Sequence, residues 1–182
     1  NNIESRLNTT RLQPPEDVPL DGTDLPQWRR IAATGEDLRY SDFLSFRLGR
    51  LAVLIQREVA VSYLELAGLS QPEWRVMARL AQHGAFEMRN LTRVCFMDKA
   101  AISRTVDRLI DKGLAERVVD PAHARRRIVA ATPAGHRLMA KALPVAHREQ
   151  AALLRELTAD EREQFGHLLH KLTSALMARA PA

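Results

Sequence analysis

The chain has 182 residues, 46% of them hydrophobic and 27% charged, with a formal net charge of +5. That length bounds one compact domain with arms, and no apolar run approaches the roughly 20 residues that a bilayer-spanning helix needs. The lone Cys95 excludes an internal disulfide framework and fits a reducing cytoplasm.

Residues 1–40 carry seven Asp or Glu against five Arg. The first of them lack the apolar core of a secretory signal, and the stretch reads as a disordered or loosely docked amino-terminal arm, partly helical over LPQWRRIAA and broken by TGED. Over 41–67, Phe43, Leu44, Leu48, Leu51, Ile55 and Val59 recur at helical spacing, and Gly68 is the stop. Ser70, with Glu73 three residues on, makes a capping box for the next helix, GLSQPEWRVMARLAQ. A third helix is predicted over 88–96.

Asp98 is placed to cap a fourth helix over 100–112, where Ile102, Val106, Leu109 and Ile110 form one apolar face and Gly113 supplies the left-handed end. At about 100° per residue, Arg104 and Arg108 project opposite that face, with Ala100 near them, Ser103 on the flank and Lys99 at the amino end. Such a helix suits a DNA major groove, where guanidinium forks match guanine edges and phosphates. A solvated charged face would look the same in isolation. The segment after Gly113 distinguishes the two, because LAERVV and RIVAAT read as a hairpin around the turn-like DPAHARR. Its tip carries Arg125, Arg126 and Arg127 beside His123, suited to a minor groove or phosphates. Residues 86–132 hold ten Lys or Arg against six Asp or Glu, so most of the positive excess lies here.

Beyond the hairpin, Thr132 and Pro133 open a long helix in which Pro144 should kink or relax one turn. Thr158 and Glu161 cap a last helix bearing Phe165, Leu168, Leu169, Leu172 and Leu176 on one stripe. These apolar stripes exceed what a small winged domain can cover, which makes a partner chain the natural cover. The alternative is a monomer whose long helices fold back on each other.

The order of these motifs resembles the MarR family of bacterial transcription regulators. Its pattern L-x-x-x-G-L-x-x-R appears from Leu109 to Arg117, the arginine-bearing wing at Arg125, Arg126 and Arg127, and T-P-x-G from Thr132 to Gly135. The resemblance covers roughly residues 40–180. It implies a mainly α fold with a small β-hairpin wing, a winged helix-turn-helix flanked by long dimerisation helices. Residues 1–40 are then an arm, 41–68 and 133–180 the helical dimerisation region, and 69–132 the DNA-binding domain. It further implies a homodimer on double-stranded DNA, with recognition helices about 34 Å apart on a palindromic operator. One departure is His123, where family members commonly carry an acidic residue before the wing arginine; either Asp120 substitutes or the wing is looser.

The resemblance also implies a small aromatic acid effector held in a cleft between dimer helices and winged domain. Such a site needs a cation for the carboxylate and apolar walls for the ring. Arg75 and Arg47 are the candidate cations, with Tyr40, Ser41, Phe43, Phe46, Tyr63 and Trp74 as walls or hydroxyl partners. The same aromatics would serve as core residues, and the same arginines as salt-bridge partners. The E-W-R-V pattern is similar to that of members controlling breakdown of hydroxylated aromatic carboxylic acids, which makes Arg75 the first choice.

Two other readings stay open: an oxidant sensor acting through Cys95, and an architectural DNA binder without ligand control. His167 and His170 share a helical face, but no cysteine or carboxylate set accompanies them, and no metal or other cofactor is expected. Without a phosphate loop, HExxH or G-x-S-x-G, catalysis is not expected either.

Overall fold

The computed structural model describes residues 28–119 and 127–179. By internal contacts the chain divides into two compact units, residues 1–52 and 53–182.

In the first unit, the expected helix over LPQWRRIAA is not formed within residues 28–33; residues 25–27 lie outside the described residues. The reason is local hydrogen bonding. The Ala32 N–H is taken by the Asp37 carboxylate at 3.1 Å, and the Gly35 N–H returns to the Ala32 carbonyl at 2.9 Å, closing a turn in place of a helical ladder. Trp28 Nε1 donates to the Asp42 carbonyl at 2.6 Å. A single 3-10 turn, Tyr40–Asp42, then leads into α1, Leu44–Leu54.

The second unit holds a π-helical turn, Ile55–Ala60, and α2, Val61–Ala67, which ends on the left-handed Gly68 (φ 60°). Next come α3 (Gln71–His83), β1 (Phe86–Glu87), α4 (Met88–Cys95) and α5 (Lys99–Asp111). β2 (Ala115–Val119) and β3 (Arg127–Ala131) precede α6 (Pro133–Leu154) and α7 (Ala159–Met177). Both predicted capping boxes form, at Ser70 with Glu73 and at Thr158 with Glu161. The predicted hairpin becomes a three-stranded antiparallel sheet in the order β1-β3-β2, with Phe86 opposite Val129 and Arg117 opposite Val129 on the other side.

The core of this unit lies where α3, α4, α5, β3 and α6 converge, on Met77, Leu80, Leu91, Ile102, Leu109 and Met139, all fully buried. The wing is fastened at its base. Arg117 of β2 pairs with Asp107 of α5, Thr132 Oγ1 donates to the Gly113 carbonyl at 2.7 Å, and the Thr132 N–H donates to the Leu114 carbonyl at 3.0 Å. The glycine of the T-P-x-G motif has a steric cause, since a Cβ at Gly135 would lie 2.2 Å from the Leu114 carbonyl oxygen.

α6 runs unbroken through Pro144, which removes one backbone donor without ending the helix. Among the described residues, α7 has none that is buried; Leu168 is 56% and Leu176 62% exposed. No helix among the described residues is long and apolar enough to cross a membrane.

Candidate nucleic-acid interface and effector pocket

The amino end of α5 is set by Asp98, whose Oδ1 accepts from the Ala101 N–H at 2.7 Å. Its apolar face, Ile102, Val106 and Leu109, is fully buried, which leaves Lys99, Ala100 and Arg104 exposed and Ser103 half-buried along the open side. A cleft of about 630 Å³ opens between this helix end, the start of α4 and β3. Its lining includes Lys99, Ser103 and Arg127 together with Arg89 and Thr92. Three of the sequence-predicted DNA contacts therefore meet around one surface with three cations on it, the arrangement that phosphate oxygens require. Arg89, which carries no signal in the sequence, pairs with Glu87 at the cleft rim. Arg125, Arg126, His123 and Asp120 lie outside the described residues.

Arg108 differs from Arg104. It is half exposed, but its Nε lies 3.5 Å from Glu73 Oε1 of α3. Lys112, just past the end of α5, donates from Nζ to Glu73 Oε2 and to the Gly68 carbonyl, both at 3.0 Å. Burial pushes the Glu73 carboxyl up, but the Ser70 N–H, the Lys112 ammonium and the Ser70 hydroxyl together outweigh it and hold the group below the usual glutamate range.

The eight effector candidates fall into two groups, one in each unit. In the first, the Tyr40 ring lies 5.4 Å from Phe43 and 5.1 Å from Phe46. Arg47 is engaged internally, its Nε donating to the Ser41 carbonyl at 2.6 Å and its guanidinium lying 3.5 Å from the buried Asp42. The Arg39 hydrogen bond is the largest influence on Asp42; despite the cost of burial, it and Arg47 hold that carboxyl below its usual value.

In the second group, Tyr63 and Trp74 are buried, their ring centres 4.6 Å apart and their planes tilted by 40°, so these two rings are core. Arg75 is exposed and lines a pocket of about 420 Å³ with Gln71, Arg79, Gln82 and Phe96, while Trp74 reaches its wall. The side-chain oxygen of Gln71 is buried without a hydrogen-bond partner. Phe96, the cap residue between α4 and α5, is 74% exposed and held in the left-handed region at φ 51°. Gln71, Arg79, Gln82 and Phe96 are not among the sequence-predicted residues. The four-residue spacing Gln71, Arg75, Arg79 on one helix face was the available signal.

Cys95 sits behind this pocket, buried, its Sγ donating to the Arg75 carbonyl at 3.8 Å. Burial raises its thiol above the usual value, only partly offset by Arg79 and Arg75, which disfavours the thiolate that oxidant chemistry uses.

Residues 67–126 match the model of the MarR family. The chain is 31% identical over 126 residues to the transcriptional regulator HosA of Escherichia coli O111:H-, covering 69% of this chain and 93% of that protein. Its fold is similar to that of BpsR of Bordetella bronchiseptica, a structure concerned with regulation of DNA binding by 6-hydroxynicotinic acid (25% identity, TM-score 0.64, 74% of this chain and 96% of that one). It is also similar to a mutant MarR from E. coli complexed with operator DNA (25% identity, TM-score 0.61, 69% and 95%). A basic winged helix-turn-helix with this degree of kinship has one reading: the chain belongs to the MarR family of DNA-binding transcription regulators, which are not enzymes.

Proposed function

We propose that the protein is a homodimeric repressor, released from a palindromic operator by a small hydroxylated aromatic carboxylic acid in the cytoplasm. The observation that carries the effector class is the α3 pocket. Arg75 and Arg79 offer two guanidinium groups to a carboxylate, Trp74 and Phe96 offer apolar ring surface, and the amides of Gln71 and Gln82 on the lining suit a ring hydroxyl. The regulation of BpsR by 6-hydroxynicotinic acid, a hydroxylated nitrogen-ring acid, supports that class. The homodimer is supported by α7, whose apolar stripe has no cover among the described residues. On this proposal α1, α2, α6 and α7 form the dimerisation region, α3 to β3 the reader, and residues 1–40 an arm. Lys99, Ala100, Ser103 and Arg104 face the major groove, and Arg125, Arg126 and Arg127 serve the wing.

A ligand shifts the population off DNA only as far as its affinities for the two states differ. The test is a thermal-shift screen with benzoate, its monohydroxy isomers and 6-hydroxynicotinate, followed by release of a duplex selected by the protein from a randomised library. At least one hydroxylated acid should raise the melting temperature and release the duplex, and Arg75→Ala should abolish both effects while leaving DNA binding intact. Normal response in Arg75→Ala would remove the pocket from the reading. Similar affinity for every duplex, with no acid response, would favour an architectural binder.

A further inference from the structure

One group in the winged domain is used neither by the DNA-facing surface nor by the effector pocket: the buried carboxylate of Glu73. Only 3% of its side chain is exposed, yet it is ringed by donors from three places in the chain. Its Oε2 accepts from the Ser70 N–H at 2.7 Å, from the Ser70 hydroxyl at 2.9 Å and from Lys112 Nζ at 3.0 Å. Its Oε1 faces Arg108 Nε at 3.5 Å. Lys112 then reaches past the carboxylate to the Gly68 carbonyl at 3.0 Å. The carboxyl end of α5 is thus bound to the corner where α2 ends and α3 begins, across 39 residues of sequence between Glu73 and Lys112.

We propose that Glu73 is a positioning residue for DNA reading: through Lys112 and Arg108 it anchors the carboxyl end of α5 to the α2–α3 corner and so fixes the direction in which Lys99, Ser103 and Arg104 point. Labour is divided along α5 accordingly. Its first two turns carry polar groups toward DNA, while Arg108 in its last turn and Lys112 just beyond commit their charges to an internal carboxylate. Base readout depends on angle more than phosphate contact does, because bidentate pairing with a base edge requires the fork to lie in the base plane, whereas a phosphate accepts donors over a wide range of directions. Loss of the anchor should therefore cost discrimination more than overall affinity.

The test compares wild type with Glu73→Gln, Lys112→Met and the double variant. Glutamine keeps an acceptor oxygen for Ser70 and removes the charge. Fluorescence anisotropy measures binding to a duplex selected by the wild-type protein and to a scrambled duplex of equal length at one salt concentration. Each single variant should reduce the ratio of the two affinities by about tenfold, and the double variant should lose less than the product of the two single losses, because both changes break the shared Glu73–Lys112 contact. Circular dichroism melts establish that each variant is folded; should Glu73→Gln not fold, Lys112→Met and Arg108→Gln carry the comparison. An unchanged ratio in a folded variant overturns the proposal. Losses that simply multiply overturn it as well, and so does an equal loss by Lys112→Met on both duplexes, which would make Lys112 a phosphate contact. None of these outcomes depends on the effector, so they leave the aromatic-acid reading untouched.

Discussion

Phe96 combines two properties that rarely coincide in one residue: a bulky exposed ring and a left-handed backbone. Glycine occupies that conformation without the penalty of roughly 1–2 kcal/mol that a side chain incurs. Because the ring is largely in solvent, little burial offsets the strain within the chain. Phe96→Gly should therefore stabilise the fold by about 1 kcal/mol, raising the melting temperature by roughly 2–4 °C in a chain of this size, while weakening binding of an aromatic acid in the α3 pocket. A lower melting temperature would mean that the ring is held by contacts beyond those of the single chain. Arg47 teaches a different lesson. Its charge and its place among Tyr40, Phe43 and Phe46 made it a candidate cation, and nothing in the local sequence announced that Ser41 and Asp42 would engage it.

Among the elements, the junction of wing and α6 is the most tightly specified. Replacing a helix glycine by alanine ordinarily stabilises by about 0.5–1 kcal/mol. At Gly135 the sign reverses, because the new methyl meets the backbone oxygen of Leu114, an obstacle that cannot swing aside. Gly135→Ala should cost about 1–3 kcal/mol, seen as a melting temperature lower by roughly 2–12 °C; an unchanged melt would show that the β2 end yields easily. Elements whose signals are local were legible in sequence. Asp98, Ser70 with Glu73, and Thr158 with Glu161 each mark a helix start within four residues, and the apolar stripe of α5 is buried as its spacing requires. β1 was not legible, being two residues long with no alternation to read and existing only because β3 offers it an edge. The π-helical turn at Ile55–Ala60 likewise leaves no pattern in composition. For the candidate site, Lys99, Ser103 and Arg127 could be assigned by helix face and hairpin position, whereas the partnership of Glu73 with Lys112 spans 39 residues and belongs to tertiary packing.

At the scale of the whole molecule, the polypeptide carries more apolar helix surface than it covers. Phe165, Leu168, Leu169, Leu172 and Leu176 of α7 are all exposed, a contiguous stripe of the kind that soluble monomers rarely leave open. Leu168→Glu combined with Leu172→Glu should yield a monomer at micromolar concentration by sedimentation velocity, with helical content retained and affinity for a two-half-site duplex sharply reduced. A variant that still sediments as the wild type would place the interface elsewhere.

The 13 residues of α3 serve two masters. At about 100° per residue, Glu73 stands on the side opposite Gln71, Arg75 and Gln82. A roll of the helix by about 10° about its own axis moves groups at its rim, some 5–6 Å out, by about 1 Å. A hydrogen bond of 3.0 Å does not survive a stretch of that size. If both proposals hold, α3 carries the acid pocket on one side and the Glu73 anchor on the other, so that one small roll of the helix moves both together.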